Sequence, residues 1–227
     1  MWAILDPVGG IALLSLVFAA FFDKPPLGIS FPTFYATGML LFGMFNDVHS
    51  KIALSLLYSK QLLAYPTVTF VDAILARFIL NTMTECLVAY IVFTVCFALF
   101  ETRTNMDFPV ILQAWALTAY LALGIGTLNC YLFARFEVMQ RAWSIMMRPG
   151  FILSGTFFIF DTLPEKYQNW LWWNPLVHNI GISRSGFYSE YDAAFASPTY
   201  VIGLSTICLV TGLMLLRRHY RTLLSNH

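Results

Sequence analysis

The chain has 227 residues, of which 59% are hydrophobic and only 11% charged, and its formal net charge is +1. An ordinary soluble domain carries about 25% charged residues. A water-soluble fold of this length could not bury so much apolar surface, so the solvent for most of the chain is lipid. The near-neutral charge and the lack of a basic run exclude an electrostatic nucleic-acid binder.

The start, Met1-Trp2-Ala3-Ile4-Leu5-Asp6, lacks the basic region of a cleavable signal peptide. A bilayer crossing needs about 20 mostly apolar residues. Reading between the charges predicts an all-α integral membrane protein, one domain over 1–227, with six spans at about 7–23, 30–47, 70–100, 108–134, 142–160 and 195–216. The first requires Asp6 at the interface. The third holds Asp72, Arg77 and Glu85 and is the least lipid-like. The fifth is interrupted by Arg148, whose long side chain can snorkel or pair inside a bundle.

Two connections are more than turns. Between spans two and three, Ile52 to Leu63 has helical spacing and ends before Pro66, which predicts an amphipathic helix lying on the membrane or docking a partner. Its apolar positions Ile52, Leu56, Leu57 and Leu63 share a face, with Lys51 and Lys60 at the rim. Between spans five and six, Asp161 to Asp192 carries Pro164, suited to a helix start, and Asn174-Pro175, which breaks the chain before a second short helix.

Orientation follows from the basic residues. With both termini cytoplasmic, Lys51, Lys60, Arg77, Arg135, Arg141, Arg148, Arg217, Arg218 and Arg221 fall inside, and Lys24, Arg103, Lys166 and Arg184 outside, a division of 9 to 4 among the 13 basic residues. The opposite topology inverts it.

Enzymatic signatures are absent. No Gly-x-x-x-x-Gly-Lys-[Ser/Thr] cradle for nucleotide phosphates occurs, nor a Gly-x-Ser-x-Gly elbow, nor His-Glu-x-x-His. The histidines His49, His178, His219 and His227 are scattered. Cys86, Cys96, Cys130 and Cys208 sit in apolar stretches as small hydrophobes, without disulfide or metal-site spacing. No metal or cofactor is expected on this chain.

Arg77, Asn81 and Glu85 recur every four residues and share one face of the third span, either lining a substrate path or closing a local polar network. Tyr167, Trp170, Trp172 and Trp173 in the 161–192 connection present rings that could stack on sugars; an interfacial aromatic belt is the other reading. Gly124-x-Gly126 in span four allows close helix approach.

Several local sequences carry a family resemblance: Trp2-Ala-Ile-Leu-Asp-Pro7, Asp72-Ala-Ile-Leu-Ala-Arg77, Leu163-Pro164, Trp173-Asn-Pro-Leu-Val-His178 and the closing pair Arg217-Arg218. Their order over the whole length resembles the permease subunit of ABC-2-type exporters, most of all those of capsular polysaccharide in the bacterial inner membrane. The resemblance implies a homodimeric channel and a separate ABC ATPase subunit that binds ATP and Mg. That ATPase drives a lipid-linked polysaccharide outward, with periplasmic and outer-membrane export proteins as further partners. It implies ATPase docking at Ile52 to Leu63 and an outer gate of re-entrant helices over Leu163 to Tyr188, with Asn174 and Pro175 at its break. Family members usually begin with a basic amphipathic helix before the Trp2 element, whereas this chain starts inside it; either the start site was assigned too late or this copy is truncated. The alternatives are an ABC-2 exporter of O-antigen, teichoic acid, a lipo-oligosaccharide or a drug, and an ion-coupled carrier using Arg77 and Glu85.

Overall fold

A computed structural model describes residues 2–59, 61, 68–100, 102 and 106–225. Among them the regular structure is helical throughout, in the order α1 (Trp2–Ala19), α2 (Phe31–Ala53), α3 (Ser55–Tyr58), α4 (Phe70–Leu99), α5 (Phe108–Arg135), α6 (Glu137–Ile152), a 3-10 turn (Phe160–Thr162), α7 (Glu165–Leu171), α8 (Pro175–Phe187) and α9 (Pro198–Ser225). Among the described residues, three helices are long and apolar enough to cross a membrane by length and composition: Phe70–Leu99, Phe108–Arg135 and the Pro198–His219 stretch of α9. Their flanks remain bare. Ile79, Leu80, Met83 and Leu87 of α4 and Ile207 and Met214 of α9 are exposed, which water would penalise and lipid does not.

Helix boundaries follow local chemistry. Thr69 caps α4: its hydroxyl accepts from the Asp72 N–H at 3.3 Å, and the Asp72 carboxylate accepts from the Thr69 N–H at 2.8 Å. This is the reciprocal capping box, with Asp in the acidic position. α8 starts at Pro175 in the first helical position, and the Asn174 carbonyl oxygen accepts from the Leu176 N–H at 3.1 Å.

Two predicted elements end differently. The fifth span, expected over 142–160, is helical only as far as Ile152, because the chain turns at Gly155, whose φ of +87° suits glycine. The helix expected over Ile52 to Leu63 is divided: α2 runs on to Ala53, Leu54 is a turn, and α3 covers Ser55–Tyr58. Lys60 and Leu63 lie outside the described residues.

The chain forms two compact units. One comprises Met1–Met44, Glu85–Thr118 and Gly150–Pro198, and the other Phe45–Thr84, Ala119–Pro149 and Thr199–His227. The first is built on a hydrophobic core of Phe34, Tyr35 and Ile159, with Phe18, Phe31, Phe157 and Tyr191 packed against it. Phe18 and Phe34 lie 5.2 and 5.3 Å from the Tyr35 ring. In the second unit α5 and α9 approach at backbone range. A Cβ on Gly212 would stand 2.7 Å from the Leu128 nitrogen, and one on Gly124 would collide with the Ser205 backbone. Small residues at both points permit the contact. Gly212→Val is therefore expected to lower permease abundance in membranes several-fold, whereas Gly203→Val, at a position with open space, should not; quantitative immunoblotting reads both.

Candidate functional site

The 161–192 connection is held from within by several side chains, Arg184 foremost. Arg184 of α8 is 2% exposed. Its Nη1 donates to the carbonyls of Gly155 and Phe158 at 2.8 and 2.7 Å, and its Nη2 to that of Thr156 at 2.8 Å. The guanidinium lies 4.2 Å from the Phe34 ring centroid, a cation–π contact in a desolvated place. Gly38 on α2 leaves the room: a Cβ there would sit 3.3 Å from Nη2 and 3.0 Å from the Thr156 Cα. Arg184 is thus an internal crosslink between α8, the turn after α6 and α2. The planar guanidinium fork suits three divergent carbonyls as an ammonium would not.

His178 pins the other side of α8. Its Nδ1 accepts from the Ser197 N–H at 3.1 Å, so Nε2 carries the proton and donates to the Trp172 carbonyl at 2.7 Å. Burial pushes its pKa below the ordinary value, partly opposed by the Trp172 bond. A neutral ring is what the two bonds require. Tyr191, in the same connection, is raised, mainly by burial and also by its neighbour Asp161.

The predicted aromatic residues do not act as one cluster. Trp172 is half-buried, donates its indole N–H to the Phe195 carbonyl at 3.3 Å, and meets the His178 ring edge-on at 5.1 Å. Tyr167, Trp170 and Trp173 are exposed, Trp170 to 82%. α7 therefore presents two rings outward and the turn after it a third, Trp173, while Trp172 belongs to the packing. Asn174 serves twice, capping α8 and donating from Nδ2 to the Leu153 carbonyl at 3.0 Å, and Pro175 opens the helix.

Beside this connection lies a cavity of about 780 Å³ lined by Tyr90, Phe93, Phe97, Leu112, Trp115 and Phe187 among others. No charged side chain lines it, and the Thr94 hydroxyl is already donated to the Tyr90 carbonyl. A sugar would find few polar partners there, so this apolar space is not a glycan site.

On α4, Asn81 donates to the Arg77 carbonyl at 2.6 Å, and the Arg77 guanidinium stands 5.4 Å from the Tyr58 ring centroid. Glu85 lies two turns further along the same half-buried stripe. Asn81 is thus bonded to the Arg77 backbone, and the Arg77 side chain lies beside Tyr58 of α3.

The docking candidates divide by burial. Ile52 and Leu56 are buried, and a Cβ on Gly126 of α5 would lie 2.9 Å from that of Ile52. The Ser55 hydroxyl meets the Cys130 sulfur at 3.4 Å. Lys51, Leu57 and Tyr58 are exposed. The single apolar face read from spacing is in fact two, one against α5 and one outward. Sequence reasoning also passed over His49, which is buried and bonded to Trp143 (His49 Nε2 accepts at 2.6 Å). Neither it nor Arg184 announced itself, since each stands among other polar residues with no repeat of spacing to set it apart.

These features describe a helical membrane protein. The ABC-2 type transporter family matches residues 1–188, and the chain belongs to that family. The chain is similar to the Polysialic acid transport protein KpsM of Escherichia coli, at 26% identity over 100% of this chain and 88% of that protein. It is similar to the Capsule polysaccharide export inner-membrane protein CtrC of Neisseria meningitidis serogroup B, at 24% over 96% of this chain and 82% of the relative. With the protein BexB of Haemophilus influenzae, which has the same description, identity is 24% over 81% of this chain and 69% of the relative.

Proposed function

We propose that the chain is the permease subunit of an ATP-driven exporter of capsular polysaccharide in the bacterial inner membrane. The observation that carries this reading is the likeness, over the entire chain, to a polysialic acid transport protein. The absence of a phosphate-cradling loop in the sequence is consistent with ATP and Mg belonging to a separate ATPase subunit. The functional unit is a homodimer of this chain with two such ATPases, working alongside periplasmic and outer-membrane export proteins on a lipid-linked glycan.

The chain crosses the bilayer six times, through α1, α2, α4, α5, α6 and α9, with both ends cytoplasmic. The 16 residues of α6 reach about 24 Å, short of the ~30 Å hydrocarbon core. The non-helical residues 153–159 complete the crossing. Such backbone is tolerated at membrane depth only where protein satisfies it, which is what Arg184 supplies to the carbonyls of Gly155, Thr156 and Phe158. In this reading α7 and α8 form the outer gate, and Lys51, Leu57 and Tyr58 face the ATPase.

The decisive experiment is reconstitution of the chain with its partner ATPase in liposomes and measurement of ATP-dependent movement of a lipid-linked capsular glycan. Movement that requires ATP supports the reading; movement driven by a proton gradient without ATP would replace it with an ion-coupled carrier. The same assay tests the exposed rings. Trp170→Ala is expected to slow export a few-fold while Trp170→Phe restores it, since ring stacking is worth roughly 1–3 kcal/mol in nucleic-acid channels and a sugar contact is set at the low end. Export that tracks permease abundance in every variant makes these rings an interfacial belt only.

A further inference from the structure

The last turn of α2 contains a polar pair that apolar packing does not explain. His49 is 1% exposed, stacked on Phe45 with centroids 4.9 Å apart and an interplanar angle of 12°. An indole N–H can only donate, so the 2.6 Å bond from Trp143 Nε1 requires His49 Nε2 to be bare. The proton then sits on Nδ1 and is donated to the Phe45 carbonyl at 3.1 Å. Both ring nitrogens are used, and the imidazole is fixed in one tautomer and one orientation.

The placement of this pair matters more than its strength. Three residues after His49, Ile52 abuts Gly126 of α5, and Ser55 meets Cys130 of the same helix. On the opposite side of the same two turns, Lys51, Leu57 and Tyr58 are exposed. The stretch 49–58 therefore carries an outward face for a partner and an inward face that touches α5 through Ile52 and the Ser55–Cys130 hydrogen bond and α6 through the His49–Trp143 hydrogen bond. Apolar contacts slide with little change in energy. A buried hydrogen bond is either made or broken, and leaving its members unpaired is costly. The His49–Trp143 bond is the directional contact from this segment to α6, as the Ser55–Cys130 bond is to α5.

We propose that the His49–Trp143 hydrogen bond is the positioning contact that transmits movement of the ATPase-facing segment to α6, so that ATP hydrolysis is coupled to export. The proposal rests on the docking assignment made above. Neither side chain touches substrate or ATPase; both act through the helices they join.

The test uses the permease–ATPase complex in liposomes, measuring complex yield, ATP hydrolysis and glycan exported per ATP. Trp143→Phe keeps an aromatic ring and removes the donor. His49→Leu removes the acceptor, and His49→Gln offers an amide oxygen to the indole N–H. Trp143→Phe and His49→Leu are expected to assemble and hydrolyse ATP, with export per ATP reduced about five-fold, the factor that one hydrogen bond of about 1 kcal/mol represents. His49→Gln should recover most of the ratio. If export per ATP is unchanged in Trp143→Phe and His49→Leu, the contact carries no coupling. If export falls only in proportion to complex yield, the pair is structural, and the proposal is overturned in that case too. Failure of the docking assignment reads differently, as an undiminished complex yield when Leu57 and Tyr58 are replaced.

Discussion

Arg184→Met is expected to remove most of the permease from the membrane, a larger loss than any other single change considered. The side chain is fully enclosed and gives three hydrogen bonds to carbonyls of one short turn. Methionine fills comparable length but donates nothing. It strands the oxygens of Gly155, Thr156 and Phe158, and each unsatisfied buried acceptor costs about 1–3 kcal/mol. The sum is at least about 3 kcal/mol, a large part of the stability of an ordinary domain. Arg184→Lys should fall between. An ammonium donates three hydrogen bonds from one point, so it cannot span carbonyls that the wild type reaches from two nitrogens, and it forfeits the planar face over Phe34. Membrane abundance and the thermal unfolding midpoint in detergent should rank wild type above Lys above Met. A methionine variant as abundant and as heat-stable as wild type would mean that the turn finds other donors.

Arg184 also marks where sequence reading reached its limit. Long apolar runs declare themselves, and the expected spans at 70–100, 108–134 and 195–216 correspond to α4, α5 and most of α9. Short-range chemistry was equally legible: Asn174-Pro175 opens α8 as its cap and first-turn proline require. What the pattern could not give was direction. Arg184 lies among polar and aromatic residues in a connection, where a charge ordinarily faces water, and only the carbonyls of residues 155–158, some 26 to 29 positions earlier, reveal that it faces inward. The end of the fifth span's helix was missed for a related reason. Phe151 to Phe160 is apolar enough to extend a helix, yet Gly155 takes a left-handed conformation, and a tertiary partner absorbs the carbonyls thereby freed. The tryptophans divide in the same way: Trp172 and Trp173 are neighbours in sequence, but only the Trp172 indole N–H bonds to the Phe195 carbonyl.

The second large effect concerns the ATPase, and burial decides which residues can report it. Spacing alone grouped Ile52, Leu56 and Leu57, but Leu56 is 3% exposed, so a carboxylate there would enter the packing of the permease itself. Loss of partner binding in Leu56→Asp would be uninterpretable. Leu57 and Tyr58 are 38% and 68% exposed, and changing them leaves the inward face of Ile52, Ser55 and Leu56 intact. Tyr58→Ala gives up the Arg77 contact, worth about 0.5–1 kcal/mol at an exposed site, too little to unfold the segment. Apolar and aromatic anchors at interfaces commonly contribute 2 kcal/mol or more, and each 1.4 kcal/mol is tenfold in affinity. The double variant Leu57→Asp/Tyr58→Ala is accordingly expected to lower ATPase recovered per permease by at least about tenfold, with permease abundance near wild type. Lys51→Glu, at the rim, should act more weakly and through association rate, an effect that shrinks as salt is raised. Co-purification that survives the double variant would leave α3 resting on lipid and send the search for the docking surface to the other exposed helix ends, Arg135 and Phe136 at the close of α5 foremost.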